Sequence, residues 1–211
     1  MNAVVFIGRN FFLLAFGLFL RVHISGKENI PEDGPLIVAS NHVTALDMVF
    51  LEYKIKRRIL WMAKAELFKN KFVGWILRKL GAFPVHRGTV DVSAAKTVLD
   101  LLEEGKTVGI FPQGTRSKDQ ENPLKARYGV ARFAAESGVP VLPVSIFGDF
   151  RIFGHVYVHY GKPVLIEKKP DGTAYTKAEY SEIAQTLMDG IYATIREMKS
   201  GLEAPNGNHK G

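Results

Sequence analysis

Cysteine is absent from this chain of 211 residues. Its absence excludes disulfides, zinc sites built from thiolates and a cysteine nucleophile. The sequence also lacks the G-x-S-x-G motif that presents a serine nucleophile on a strand-to-helix turn. A group-transfer reaction on this chain is therefore expected to use a nucleophile that belongs to the substrate, such as a hydroxyl.

Acidic residues are also in deficit. The chain has 21 Asp and Glu against 28 Lys and Arg, which gives a net charge of +7 and a pI near 9.5. Such a balance favours anionic partners: a phosphorylated substrate, an acidic protein, an anionic membrane or a nucleic acid. No RNP, zinc-finger or helix-turn-helix signature is present, so we expect no nucleic acid partner.

The length and the 46% hydrophobic content suffice for one core. We predict one globular domain over residues 26–200, preceded by an apolar segment over 1–25. A polar, glycine-rich tail follows over 201–211 and is expected to be disordered.

The uninterrupted apolar run 11–20 would cover only about 15 Å as a helix, half of a hydrocarbon core of about 30 Å. Extension back to Val4 includes Arg9, which costs about 2.5–3.5 kcal/mol near a helix centre. No basic residue precedes Val4 and no small-residue cleavage site follows Leu20, so a secretory signal fits poorly. We predict a membrane-associating helix that enters one leaflet; packing wholly on the protein is the alternative.

From residue 26 onward, strand-like apolar runs alternate with helical patterns, which predicts an α/β fold with a mostly parallel mixed sheet flanked by helices. The segment 155–160 is predicted to be an antiparallel strand near an edge. The other predicted strands are 36–40, 59–63, 82–85, 107–111 and 141–147, and the predicted helices are one ending near residue 53 and those over 66–80, 92–104, 126–137 and 177–199.

A histidine and an aspartate five positions apart, His42 and Asp47, follow the apolar run 36–39. An imidazole can take a proton near neutral pH, and a carboxylate on its other nitrogen fixes the tautomer. Residues five apart on a helix diverge by about 140°, so the two side chains meet only if His42 precedes the helix. The alternative is that His42 merely ends a strand and Asp47 caps the next helix.

The stretch 54–87 contains ten Lys or Arg and one acid, Glu66. Within 66–80 the apolar residues recur every four positions while the cations lie largely elsewhere, which predicts an amphipathic helix. Its apolar stripe either packs on the core or contacts an anionic membrane surface.

Two strand-end turns carry residues suited to bind phosphate. The segment FPQGTRS offers the backbone of Gly114, the hydroxyl of Thr115 and the guanidinium of Arg116, and the segment GAFPVHRG offers Arg87. Turns that follow parallel strands lie on one side of a sheet, so both are expected at the same rim as His42. An ordinary solvated loop is the alternative for Arg87.

Four blocks, NHVTALD, GAFPVHRG, FPQGTRS and VPVLPVSI, occur in the order typical of the glycerolipid acyltransferase family and most resemble its bacterial 1-acylglycerol-3-phosphate (lysophosphatidic acid) acyltransferases. The resemblance covers residues 26–168 and includes the K-x-E-L segment in WMAKAELF. It implies acyl transfer from acyl-CoA or acyl carrier protein to the sn-2 hydroxyl of lysophosphatidic acid, with no metal and no further cofactor. It also implies a location at the cytoplasmic face of the cell membrane, peripheral or monotopic.

The resemblance assigns His42 as the general base and Asp47 as its orienting carboxylate. It assigns Arg87, Gly114, Thr115 and Arg116 to the acceptor phosphate, and Lys64 or a backbone N–H is a candidate oxyanion stabiliser.

The family usually has glutamate where this chain has Gln113, a candidate acceptor contact that keeps hydrogen bonding but loses the charge. Because of this departure, another acceptor (glycerol 3-phosphate or another lysolipid) stays open, as does thioester hydrolysis.

Overall fold

The computed structural model describes residues 21–85 and 92–203, in which strands and helices alternate along the chain. The strands are β1 (Arg21–Ser25), β2 (Leu36–Ser40), β3 (Ile59–Lys64), β4 (Ala82–Val85), β5 (Thr107–Ile110), β6 (Val141–Gly148) and β7 (His155–Tyr160). The α-helices are α1 (Asp47–Leu51), α2 (Lys71–Lys79), α3 (Val92–Glu103), α4 (Gly129–Ser137) and α5 (Lys177–Glu203). Short 3₁₀ turns cover Lys27–Asn29 and Ala65–Phe68.

The strands form one sheet in the order β1-β7-β6-β2-β5-β3-β4. Every neighbouring pair is parallel except β6 with β7. The predicted α/β fold with a mostly parallel mixed sheet is therefore confirmed, as is the antiparallel strand near an edge. Because β2 lies inside the sheet between β6 and β5, the segment that follows it starts from a fixed point.

All five residues of β2 are fully buried, because both faces of the sheet are covered. Side chains alternate between the faces: Ile37 and Ala39 join the core beneath α3, α4 and α5, whereas Leu36 and Val38 join the core beside α1. This double burial explains why residues 36–39 (LIVA) form a continuous apolar run rather than an alternating one.

Three sequence predictions need correction. The apolar segment was predicted over 1–25, but residues 21–25 form β1, because the alternating sequence RVHIS pairs in parallel with β7. The tail was predicted to begin at 201, yet α5 continues to Glu203. Residues 1–20 and 204–211 lie outside the described residues.

The third correction concerns the predicted helix 66–80, which is divided into the 3₁₀ turn Ala65–Phe68 and helix α2. The side chain of Asn70 caps α2 by accepting hydrogen bonds from the backbone N–H groups of Phe72 and Val73. Within α2 only Gly74 is buried, while Phe72 is 69% and Trp75 57% exposed. Packing of the whole apolar stripe on the core is therefore wrong.

No helix in the described ranges is long and apolar enough to cross a bilayer.

A capping box begins the long helix α5. The carboxylate of Glu179 accepts a hydrogen bond from the backbone N–H of Thr176 (2.6 Å), and the N–H of Glu179 donates to the Thr176 hydroxyl (3.3 Å). Lys169 also donates to this carboxylate at 2.9 Å. The hydrogen bond from Lys169, followed by those from Thr176, lowers the pKa of Glu179 from 4.5 to about 2.

We predict that Glu179 contributes stability above pH 4.5 that is lost as the pH falls towards 2, because the unfolded chain takes up the proton first. The variant Glu179→Gln should therefore lose less stability between pH 7 and pH 3 than the wild type does. Urea unfolding at both pH values measures this difference. Glu182→Gln, an exposed position one turn further along α5, is the control, and an equal acid loss in Glu179→Gln and wild type would contradict the prediction.

Candidate active site

The structure brings His42 and Asp47 together. Strand β2 ends at Ser40 and α1 begins at Asp47, so His42 precedes the helix as the pairing requires. His42 Nδ1 lies 2.7 Å from Asp47 Oδ2, the histidine side chain is 14% exposed and the aspartate is fully buried. The pair thus stands at the carboxyl end of the central strands, with one edge of the imidazole towards solvent.

Local donors hold the buried carboxylate of Asp47. The backbone N–H groups of Val43 and Thr44 donate to Oδ2 at 2.6 and 2.9 Å, and the Thr44 hydroxyl donates to Oδ1 at 2.8 Å. A carboxylate only accepts, so the proton between Asp47 and His42 lies on Nδ1. Nε2 of the neutral imidazole therefore carries a lone pair that can take a proton.

A column of stacked rings supports the imidazole from one side. The ring of His42 stacks on Phe111 with centroids 3.9 Å apart and planes 12° apart, and Phe111 stacks on Trp61 at 4.9 Å. The indole N–H of Trp61 donates to Glu52 at 2.9 Å. A Cβ at Gly109 would overlap the Trp61 ring, so glycine there makes room for the column.

The side chain of Asn41 attaches the segment that carries the dyad, the pair His42 and Asp47, to β6. Its amide donates to the carbonyl of Ile146 at 2.7 Å and accepts from the N–H of Ile146 at 2.9 Å. Asn41 is fully buried. Strand β6 continues beyond the end of β2. There the Asn41 amide takes the place of the next peptide group of β2 in the hydrogen-bond ladder between the two strands, and so fixes the position of the backbone that leads to His42.

The predicted phosphate loop is joined to the dyad through its backbone. The N–H of Ser117 donates to the carbonyl of His42 at 2.8 Å, and Gly114 adopts a positive φ of 68° in the turn. Thr115 and Arg116 are exposed at this rim. A Cβ at Gly114 would lie 2.7 Å from Nε of Arg127, so Arg127 is a second arginine beside this loop, one that the sequence analysis missed.

The structure also describes two of the remaining predicted site residues, Lys64 and Gln113. Lys64, at the end of β3, is half-exposed and its Nζ lies 3.6 Å from a carboxylate oxygen of Glu66. Gln113 is only 4% exposed and points into the interior, where it donates to the Tyr192 hydroxyl at 3.3 Å. Burial raises the pKa of Tyr192, and the bond with Gln113 opposes this shift. Gln113 thus supports the loop from within, and Arg87 lies outside the described residues.

The structure also shows what surrounds the remaining histidines. His155 contacts Arg21 and His23, and His159 contacts Ser25, on one face of β1 and β7. In the described part of the chain, no group of three or more His, Asp or Glu side chains is arranged to hold a metal ion.

Comparison with known proteins gives consistent results. The acyltransferase family model matches residues 21–147. A 1-acyl-sn-glycerol-3-phosphate acyltransferase of Bacillus subtilis is 34% identical over 86% of this chain and 90% of its own length. One of Borreliella burgdorferi is 26% identical over 85% and 74%. The crystal structure of the 1-acyl-sn-glycerophosphate (LPA) acyltransferase of Thermotoga maritima superposes with a TM-score of 0.70 at 29% identity, covering 93% of this chain and 80% of that one.

The Asn41 amide generates a stability prediction. Asn41→Ala leaves the buried N–H and C=O of Ile146 without their partner, and each unmet group costs about 1–3 kcal/mol. We expect the free energy of unfolding, measured with urea, to fall by at least that amount. Ser40→Ala is the matched control. The Ser40 hydroxyl makes only a long contact of 3.5 Å, to Asn41 Oδ1, so its removal should lower the free energy of unfolding less. Equal losses of unfolding free energy in the two variants would show that the hydrogen bonds between Asn41 and Ile146 do not stabilise the fold.

Proposed function

This chain belongs to the acyltransferase family, and on that premise we propose that it transfers a fatty acyl group from a thioester donor to the sn-2 hydroxyl of 1-acylglycerol-3-phosphate, which yields phosphatidic acid. The observation that carries the chemistry is the His42–Asp47 pair, in which Nδ1 is bound to the carboxylate and Nε2 is left to take a proton. The printed names of the relatives support the choice of acceptor.

The reaction needs one base and no covalent enzyme intermediate. His42 Nε2 takes the proton of the sn-2 hydroxyl as its oxygen bonds to the thioester carbonyl carbon. The resulting tetrahedral intermediate collapses as the C–S bond breaks, and the imidazolium returns the proton to the leaving sulfur. Asp47 stabilises the imidazolium and fixes its orientation, as the carboxylate does in other histidine-based acyl transfer.

The acceptor phosphate is assigned to the loop that contains Gly114, Thr115 and Arg116, with Arg87 as a further contribution. Support comes from the hydrogen bond between Ser117 N–H and the His42 carbonyl, which ties this loop to the base. An arginine on such a loop can bind phosphate with two parallel hydrogen bonds. Lys64 is the candidate to stabilise the oxyanion, with its Nζ near Glu66 in this structure.

The donor is proposed to be acyl-CoA or acyl carrier protein, both of which are acidic and suit the excess of Lys and Arg. No further cofactor, metal or nucleic acid is part of the proposal. The enzyme is proposed to act at the cytoplasmic face of the cell membrane as a peripheral or monotopic protein. The exposed Phe72 and Trp75 beside the cations of α2 support contact with an anionic membrane surface.

His42→Ala should lower turnover by about 10²–10⁴-fold, because the hydroxyl then lacks its general base. Asp47→Asn should follow closely, since it disturbs the tautomer of His42. The assay measures thioester consumption with and without 1-acylglycerol-3-phosphate and identifies the lipid product by mass spectrometry. Consumption that does not depend on any acceptor would indicate a hydrolase and contradict the proposal, and acylation of a different acceptor would revise the substrate.

Arg116→Ala should raise the KM for 1-acylglycerol-3-phosphate and lower kcat/KM, because a phosphate partner is lost. An acceptor that lacks the phosphate should show a smaller effect. Lys162→Ala, an exposed cation at the opposite edge of the sheet, is the control and should leave both values unchanged. Equal losses with the two acceptors would remove Arg116 from the phosphate site.

A further inference from the structure

The turn between β6 and β7 exposes two large apolar side chains. Ile152 is 71% and Phe153 66% exposed. Phe153 is the one residue other than glycine with a positive φ (65°) among those described, a conformation that bulky side chains rarely adopt. In the turn, Arg151 Nε donates to Asp149 Oδ1 at 2.9 Å and Nη2 donates to Oδ2 at 2.8 Å, and the N–H of Gly154 donates to the carbonyl of Arg151. It therefore presents the two apolar side chains on a defined frame.

The topology places this turn on the same side of the sheet as His42, at the carboxyl ends of the parallel strands. Strand β6 is parallel to β2, so both the turn and the dyad follow carboxyl ends of parallel strands. On the other side of β2 along the sheet, the 3₁₀ turn after β3 and the start of α2 expose Leu67, Phe72 and Trp75. Apolar side chains thus flank the dyad on both sides at one edge.

The first described strand, β1, starts at this turn. The backbone N–H of Arg21, the first described residue, donates to the carbonyl of Gly154 at 3.0 Å. Strand β1 therefore begins beside Gly154, the residue that follows Ile152 and Phe153 in the turn.

Cations accompany the apolar side chains on both sides. Lys69, Lys71 and Lys79 are exposed next to Phe72 and Trp75, and Arg21 is exposed beside the turn. Exposed aromatic and aliphatic side chains combined with Lys and Arg suit the interface of a bilayer with anionic headgroups. An acidic protein could pair with the cations. It would also need one rigid surface that matches both separated apolar groups, whereas a fluid bilayer can bury both without such a match.

We propose that Ile152 and Phe153 insert into an anionic bilayer and, together with Leu67, Phe72 and Trp75, dock the carboxyl edge of the sheet on the membrane. This inference rests on the proposed function, because it brings His42 to the surface in which a lysolipid acceptor is dissolved. The docking is a property of the folded domain, in addition to any contribution of residues 1–20.

The test uses the full chain and vesicles of phosphatidylglycerol and phosphatidylcholine. The double variant Ile152→Asn/Phe153→Asn removes the apolar side chains without adding charge, and asparagine adopts positive φ more readily than phenylalanine. The matched control is Val164→Asn/Leu165→Asn, two exposed apolar positions beyond the end of β7 at the opposite edge of the sheet. We expect vesicle partitioning to weaken by about tenfold or more, an equilibrium change of about 1.4 kcal/mol, in the first variant only. Equal partitioning of wild type and both variants would overturn the proposal.

A second measurement does not depend on loss of binding. Ile152→Trp in a Trp75→Phe background places an indole in the turn, while the other tryptophan, Trp61, is fully buried. Vesicles that contain brominated lipid should quench its emission, and an absence of quenching on bound protein would overturn insertion of the turn.

Activity separates this inference from the proposed function. The double variant at the turn should retain wild-type turnover of a short-chain acceptor in solution and lose turnover of an acceptor embedded in vesicles. Equal turnover of the embedded acceptor by the variant and wild type would count against docking. Vesicle binding by a wild-type protein that acylates no acceptor would instead refute the proposed function and leave the docking surface standing.

Discussion

The buried negative charge of Asp47 is the constraint on which the site depends. A carboxylate removed from water is costly unless its oxygens accept hydrogen bonds, and here two backbone N–H groups, a hydroxyl and an imidazole supply them. Those backbone donors come from Val43 and Thr44, so the link between β2 and α1 must curl around the carboxylate. The conformation that makes burial of the charge tolerable is the same one that holds Nδ1 of His42 against the carboxylate.

The neighbouring strands extend that constraint in both directions. On one side, Asn41 is bound to Ile146 of β6; on the other, the His42 ring lies against Phe111, which follows β5. Ser117 then connects the loop after β5 to the His42 carbonyl. Sites held by rigid elements and supporting hydrogen bonds keep their geometry better than sites on isolated loops. His42 and the proposed phosphate loop are therefore positioned by one set of contacts.

Much of the fold and the pairing of His42 with Asp47 could be predicted from local sequence patterns. The contacts between distant segments could not, because they depend on the order of the strands in the sheet. The run LIVAS and the spacing of His42 and Asp47 are local signals, and both led to the correct placement. The ring column joins residues from three segments, 42, 61 and 111, whose proximity only the sheet order determines. Gln113 shows a similar limit, since nothing in FPQGTRS indicates that its side chain turns inward to Tyr192. Asn70, by contrast, was a readable cap inside a predicted helix.

The pairing of β1 with β7 has a consequence for synthesis on the ribosome. Arg21 is opposite His155, so β1 can pair only after the ribosome has synthesised β7, more than a hundred residues downstream. At roughly 5–20 residues per second, that delay is on the order of ten seconds. During this interval β1 has no partner strand, because its only neighbour in the sheet of the described residues is β7. The pairing of β1 with β7 therefore comes late, after the central strands of the sheet have already been synthesised.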